Sequence, residues 1–106
     1  MIETLGAVLF DCDGTLADSE PMITASIIDM LAEEGFVVTT EQVREVFGPT
    51  LHEMAELLTG ERITPERMAH LRERYWVHAT PRYSAVRPMT GSEALLDALA
   101  ARAIPL

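Results

Sequence analysis

The sequence contains no lysine, and this absence shapes its charge. All eight basic residues are arginines, against 17 acidic residues, so the formal net charge is −9. The pI is near 4.6. A chain this acidic, with no basic patch, is repelled by polyanions. We therefore expect neither nucleic acid nor an anionic membrane surface as a partner.

Cysteine and long apolar runs are also scarce. Cys12 is the only cysteine, so no internal disulfide can form. No apolar run approaches the roughly 20 residues of a membrane-spanning helix. Residues 1–4 lack the charged start and the long apolar stretch of a signal peptide. The sequence predicts a cytoplasmic protein that does not span a membrane.

The most informative segment is a pair of carboxylates directly after an apolar run. Residues 7–10, Ala-Val-Leu-Phe, are typical of a buried strand, and Asp11 and Asp13 follow it. Side chains at i and i+2 of a strand point to the same side, so Cys12 between them is expected to face the core. Ligands of open α/β sheets bind beyond the carboxyl ends of strands. Two like charges so close require a cation, and oxygen ligands favour Mg²⁺.

Residues 11–19 resemble the first motif of the haloacid dehalogenase-like phosphohydrolases, D-x-D-G-T followed by L-x-D-S, and match it completely. The resemblance implies that Asp11 is the nucleophile, forming an aspartyl-phosphate, and that Asp13 is the general acid/base. It also implies that Mg²⁺ is bound by the Asp11 carboxylate and the Asp13 main-chain carbonyl. Gly14 permits a sharp turn, and Thr15 with nearby amides would contact phosphate oxygens or brace the loop. The alternative without chemistry is an Asp-rich turn that caps a helix.

Four stretches with helical spacing follow this motif. Gly35 ends the first, Thr39 or Thr40 caps the second, and Thr50 with Glu53 forms a capping box for the third. The fourth begins at Thr64-Pro65. The apolar residues predicted to face inward are Ile23, Ile27, Met30 and Leu31; Val43, Val46 and Phe47; Leu51, Met54, Leu57 and Leu58; and Met68, Leu71 and Tyr75.

The resemblance implies an α/β protein, with the first strand of a Rossmann-like parallel core and an inserted four-helix cap. Residues 1–17 and 85–106 would belong to the core and residues 18–84 to the cap. Because the core is only partial, the chain should be mostly helical.

After the cap, residues 84–88 resemble a linker that returns to the core. Thr90 with Glu93 is a second predicted capping box, for a helix whose apolar residues are Leu95, Leu96 and Leu99. Residues 103–106 resemble the approach to a second parallel strand.

Three further motifs of the family have no counterpart in these 106 residues: a Ser/Thr at the second strand, a Lys, and a pair of acids that completes the metal site. We interpret the chain as an N-terminal portion that is inactive by itself, since Arg does not simply replace the compact charge of Lys. A single strand also lacks a ladder partner. Residues 7–10 and 102–106 are therefore expected to fray, to self-associate or to pair with a complementing chain, whereas residues 21–80 are ordered.

Three residues outside the motif are candidates for binding substrate. Glu20 could meet substrate hydroxyls or act only as a charge at a helix start. Arg44 could bind a second anionic group or lie on a solvated helix face. His52 could overhang the active site or be a partly exposed helix residue. His70 and His78 have no paired ligand spacing and are expected on the surface.

The resemblance implies a Mg²⁺-dependent phosphohydrolase of a small phosphorylated metabolite, such as a sugar phosphate, polyol phosphate or phosphoglycolate. A phosphomutase of the same family is one alternative, because it would share Asp11 and Asp13. A non-catalytic helical interaction module that keeps only a weak Mg²⁺ site is another.

Overall fold

The computed structural model describes residues 4–106, so part of the signal-peptide argument, on residues 1–3, lies outside the described residues. In the described range, no helix has the length and apolar character needed to cross a membrane. The chain divides into two compact units. One comprises the chain up to Glu20 together with Val86–Leu106, and the other is Pro21–Ala85.

Consecutive helices make up the second unit, as predicted. They are α1 (Glu20–Glu33), α2 (Thr40–Val46), α3 (Leu51–Thr59) and α4 (Pro65–Ala79), followed by a 3₁₀ helix at Thr80–Ala85. Thr39, rather than Thr40, caps α2 in a capping box, and Thr50 with Glu53 caps α3 in the same way. The Thr64 hydroxyl accepts the Arg67 N–H at the start of α4. These side chains satisfy amides that would otherwise lack partners at the helix starts.

The core of this unit lies along the predicted helix faces. Ile27, Met30, Leu31, Val43 and Leu71 are almost completely buried. Met54, Met68 and Tyr75 are also buried, which confirms most of the expected inward positions.

Leu57 does not face the core, contrary to prediction, because it is 62% exposed. The buried face of α3 is formed by Met54 and Ala55. At about 100° per residue, Leu57 lies roughly 110° around the helix from the middle of the face formed by Met54 and Ala55, and it is therefore directed to the side of that face.

Ionic contacts join the end of α1 to α4 and to the 3₁₀ helix. The Glu33 carboxylate accepts two hydrogen bonds of 2.8 Å from Arg74, at Nε and Nη2. It also lies 2.7 Å from His78 Nε2. The hydrogen bonds from Arg74 and then His78 lower the pKa of Glu33 to about 2. A further ion pair joins Asp29 to Arg82.

The first unit contains a small antiparallel sheet of two strands, β1 (Ala17–Asp18) and β2 (Arg87–Pro88). Ala17 pairs with Pro88 and Asp18 with Arg87. Helix α5 follows at Ser92–Ala101. The chain is therefore mostly helical, as predicted, and its small sheet pairs residues that were not predicted as strands.

The strand predicted at residues 7–10 is not formed in the structure. The Val8 N–H donates to the Pro105 carbonyl at 3.0 Å, but no regular ladder follows, and Leu9 is 93% exposed. Cys12 is exposed too, contrary to the prediction that it faces the core. Without a sheet on both sides, the alternation of a strand does not bury either side chain.

The start of α5 also differs from the prediction. Its N-cap is Gly91, with a φ of 87° and no side-chain cap, rather than Thr90. Because the helix begins one residue later, Glu93 occupies the second helical position and cannot complete a capping box with Thr90. The segment predicted as a return linker, residues 84–88, contains the end of the 3₁₀ helix and β2.

Candidate active site

The acidic motif folds into a compact turn centred on one carbonyl group. The Cys12 carbonyl accepts the amides of Thr15 at 3.1 Å, Leu16 at 2.9 Å and Ala17 at 3.0 Å. Asp13 and Ala17 form an isolated parallel bridge. The turn therefore fixes the backbone on both sides of Asp13.

Gly14 gives this turn its shape. Its φ is +74°, a left-handed conformation that side chains other than glycine rarely adopt, and its N–H donates to the Ala17 carbonyl at 2.9 Å. No atom lies within 4 Å of the position that a Cβ would occupy. The backbone conformation, rather than lack of space, therefore explains the glycine.

The two carboxylates have different surroundings. The Ser19 hydroxyl donates to Asp13 Oδ1 at 2.7 Å, and Ser19 is only 3% exposed. Asp11 is exposed, and its carboxylate makes no hydrogen bond or ion pair with any other residue in the range 4–106. One carboxylate is thus held in place, and the other is available to a ligand.

The turn is anchored to the segment before α5. The Leu16 carbonyl accepts the Met89 N–H at 2.8 Å and lies 3.0 Å from the Ser92 hydroxyl. The β1–β2 pairing lies next to these contacts in the sequence. The position of the acidic turn therefore depends on residues more than 70 positions away.

The oxygen donors of this turn fit Mg²⁺ in kind. Mg²⁺ usually takes one or two carboxylates and completes its shell with water and substrate phosphate. Asp11 and Asp13 provide two carboxylates, but no group of three or more His, Cys, Asp or Glu suited to a metal occurs within residues 4–106. The described chain can therefore supply only part of a metal site.

The structure brings some of the predicted site residues together. Asp11, Asp13, Gly14 and Thr15 lie in the acidic turn, and Glu20, half-buried, begins α1 at the end of the same unit. Arg44 and His52 belong to the other unit.

The two candidates in the helical unit differ in their contacts. Arg44 is exposed near the end of α2. His52 Nε2 lies 3.0 Å from the Ile63 carbonyl and so carries the donated proton, while Glu56 accepts the Ile63 N–H at 2.9 Å. His52 and Glu56 together hold the loop between α3 and α4.

His70 and His78 also lie in the helical unit. His70 is exposed, 3.7 Å from Glu34, as expected of a surface histidine. His78 is half-buried against Glu33.

Two residues of the site were not predicted to have a role. Ser19 belongs to the matched motif, and its place in that motif, six residues after Asp13, was the only indication in the sequence that it could contact Asp13. Ser92 contacts Leu16 across 76 positions, and no local pattern indicates such a contact.

A family model and a curated relative both match this chain, and they agree on the kind of protein it resembles. A family model described as haloacid dehalogenase-like hydrolase matches residues 8–106. The 6-phosphogluconate phosphatase of Escherichia coli (strain K12) is 39% identical over 56 residues, which are 52% of this chain and 25% of that protein.

Solved structures show the same fold. A protein described as a haloacid dehalogenase-like hydrolase from Bacteroides fragilis has a TM-score of 0.85 and 26% identity, covering 95% of this chain and 49% of its own. A hydrolase from Pseudomonas syringae has a TM-score of 0.81 and 24% identity, covering 96% of this chain and 47% of its own. The chain thus spans about half the length of these structures and a quarter of the curated relative.

Proposed function

We propose, since the chain belongs to the haloacid dehalogenase-like hydrolases, that it carries the nucleophile and the general acid/base of a Mg²⁺-dependent phosphatase. The proposed substrate is a small phosphorylated metabolite of the sugar phosphate or phosphoglycolate type. The 6-phosphogluconate phosphatase relative supports this class. The observation that carries the proposal is that the exposed Asp11 carboxylate, which has no partner among residues 4–106, lies two residues before the Asp13 carboxylate held by Ser19.

In the proposed reaction, an Asp11 carboxylate oxygen attacks phosphorus, and the bond from phosphorus to the leaving oxygen breaks as Asp13 protonates that oxygen. Water then attacks the phosphorus of the aspartyl-phosphate. Asp13, now a carboxylate, removes a proton from this water, and the bond to Asp11 breaks, which releases phosphate and restores the Asp11 carboxylate and the protonated form of Asp13. A nucleophile of this kind divides one difficult hydrolysis into two easier steps.

Mg²⁺ would be held by the Asp11 carboxylate and the Asp13 main-chain carbonyl. When bound there, it would offset the phosphate charge that otherwise repels Asp11.

Gly14 and Thr15 would both brace the loop through their amides, and only Thr15 would also contact phosphate. Both amides already donate within the turn, to Ala17 and Cys12 respectively, so they brace the loop. The exposed Thr15 hydroxyl makes no hydrogen bond to another residue of the described chain, which supports it as the phosphate contact.

Substrate selection is proposed for Glu20, Arg44 and His52, with residues 18–84 as the cap and residues 1–17 and 85–106 as the partial core. The exposed guanidinium of Arg44 is suited to a second anionic group. His52 is the weaker candidate, because its Nε2 is already engaged by Ile63.

Turnover is proposed to need groups beyond these 106 residues. The sequence contains no Lys, and the described residues offer no third metal-binding acid at the turn. We expect a complementing chain, or self-association, to accompany activity, and we expect a cytoplasmic location. The same two observations favour the second candidate function, a non-catalytic helical module that binds a partner.

Hydrolysis of an aryl phosphate with and without Mg²⁺, by the assembly that contains this chain and the groups that complement it, tests the proposal. Asp11→Asn should lower turnover by at least about 10³-fold, because it removes the nucleophile. Asp97→Asn, at an exposed aspartate on α5 of the same unit, is the matched control and should leave turnover unchanged.

A phosphorylated Asp11 peptide, detected by mass spectrometry after acid quenching, would support the covalent step. Normal turnover in the Asp11 variant would refute it. Concentration-dependent self-association without any hydrolysis would favour the interaction module instead.

A further inference from the structure

The Leu16 carbonyl is the point where a distant part of the chain holds the acidic turn. It accepts the Met89 N–H at 2.8 Å and lies 3.0 Å from the Ser92 hydroxyl. Ser92 is 7% exposed. Because a carbonyl oxygen has two lone pairs, it can accept both donors at once.

The same peptide group continues into the turn. The Leu16 carbonyl and the Ala17 N–H belong to one planar peptide, and that N–H donates to the Cys12 carbonyl at 3.0 Å. The Cys12 carbonyl in turn shares a planar peptide with the Asp13 N–H. Two rigid planes and two hydrogen bonds therefore connect the Ser92 hydroxyl to the backbone of Asp13.

Ser92 is free to make this contact because it does not cap its own helix. It is the first residue of α5, whose N-cap is Gly91. Its hydroxyl also lies 2.8 Å from the Met89 carbonyl, so its one proton is shared between two acceptors that flank the β1–β2 sheet.

We infer that Ser92 is a positioning residue, which sets the place of Asp13 by holding the Leu16 carbonyl. This inference rests on the proposed function for its catalytic meaning. Loss of the hydroxyl would let the Leu16–Ala17 peptide tilt, and the turn would lose the orientation in which Asp13 serves as acid/base. A small misplacement of a catalytic group lowers the rate without weakening substrate binding.

Amide hydrogen exchange in the whole chain, measured by NMR, tests the structural part. Ser92→Ala should speed exchange of the Leu16 and Ala17 amides about fivefold, the effect of one lost hydrogen bond. Ser92→Thr, which keeps the hydroxyl, should restore the protection. Ser84→Ala is the matched control, since Ser84 is exposed and its hydroxyl contacts only Pro81, at 3.4 Å.

Two results would overturn the inference. One is unchanged exchange of both turn amides in Ser92→Ala. The other is an equal acceleration throughout α4 and α5, since that would show general destabilisation rather than positioning.

Aryl phosphate hydrolysis tests the catalytic part. Ser92→Ala should lower kcat about five- to tenfold with KM unchanged, and Ser92→Thr should recover it. A changed KM with unchanged kcat would contradict positioning of Asp13. If the exchange pattern appears while Asp11→Asn leaves turnover at its normal rate, the proposed function is refuted and Ser92 still holds the turn.

Discussion

Leu71 and Leu57 provide a matched test of which helix faces stabilise the helical unit. Both are leucines in this unit, on α4 and α3. Leu71 is 1% exposed, whereas Leu57 is 62% exposed. Truncation to alanine removes the same atoms in both cases, so any difference in the free energy of unfolding reflects burial.

The expected difference is large for a unit of this size. Leu71→Ala should cost about 3 kcal/mol, from lost burial and the cavity left behind. That corresponds to a fall in Tm of roughly 12 °C or more. Leu57→Ala should change stability by less than about 0.5 kcal/mol, because its side chain already contacts water.

Urea unfolding followed by Trp76 fluorescence measures this difference. Trp76 is the only tryptophan of the chain and lies on α4, so its signal reports the helical unit. Its environment should also be sensitive to unfolding, because its ring stacks on Tyr83 with centroids 6.2 Å apart. Equal losses in the two variants would refute the assigned core.

The remaining predictions concern pH and helix capping. The Arg74 and His78 contacts lower the pKa of Glu33 from 4.5 to about 2, so their stabilisation is complete above about pH 4.5 and is lost as the pH falls toward 2. The gap in urea midpoint between the unaltered chain and Glu33→Gln should therefore be larger at pH 6 than at pH 2.5, and a constant gap would contradict this. Thr50→Ala should destabilise by about 1 kcal/mol through loss of its cap, whereas Thr90→Ala should be nearly neutral in the same unfolding assay. Equal effects would contradict the conclusion that Thr50 caps a helix and Thr90 does not.

The helical unit was largely predictable from sequence because its signals are local. Thr50 and Glu53 lie within one turn of each other, and the capping box depends on nothing farther away. Leu57 shows the limit of periodicity. In a helix of nine residues with four large apolar side chains, the sequence does not reveal which neighbours cover which face.

The partial core was less predictable because strands depend on partners that the sequence does not name. Residues 7–10 have the composition of a buried strand, yet Val8 donates one hydrogen bond to Pro105 and Leu9 stays exposed. The prediction that Cys12 faces the core was wrong for the same reason, since the alternation of a strand buries a side chain only when another layer covers the sheet. The N-cap of α5 was predicted at Thr90 but lies at Gly91, which has a left-handed φ, so the helix begins one residue later than predicted.

In the candidate site, too, some contacts are local in sequence and others are distant. The acidic turn closes through bonds among residues 12–19, so Asp13 is fixed although residues 7–10 have no ladder. The bonds to Met89 and Ser92 then fix that turn to the rest of its unit. The metal site has no such complete local source, because the described part of the chain offers no group of three side chains suited to a metal, and the sequence contains no lysine. Under the proposed function, the position of the two carboxylates would be set within this chain, whereas further charge compensation would come from Mg²⁺ and from groups outside these 106 residues.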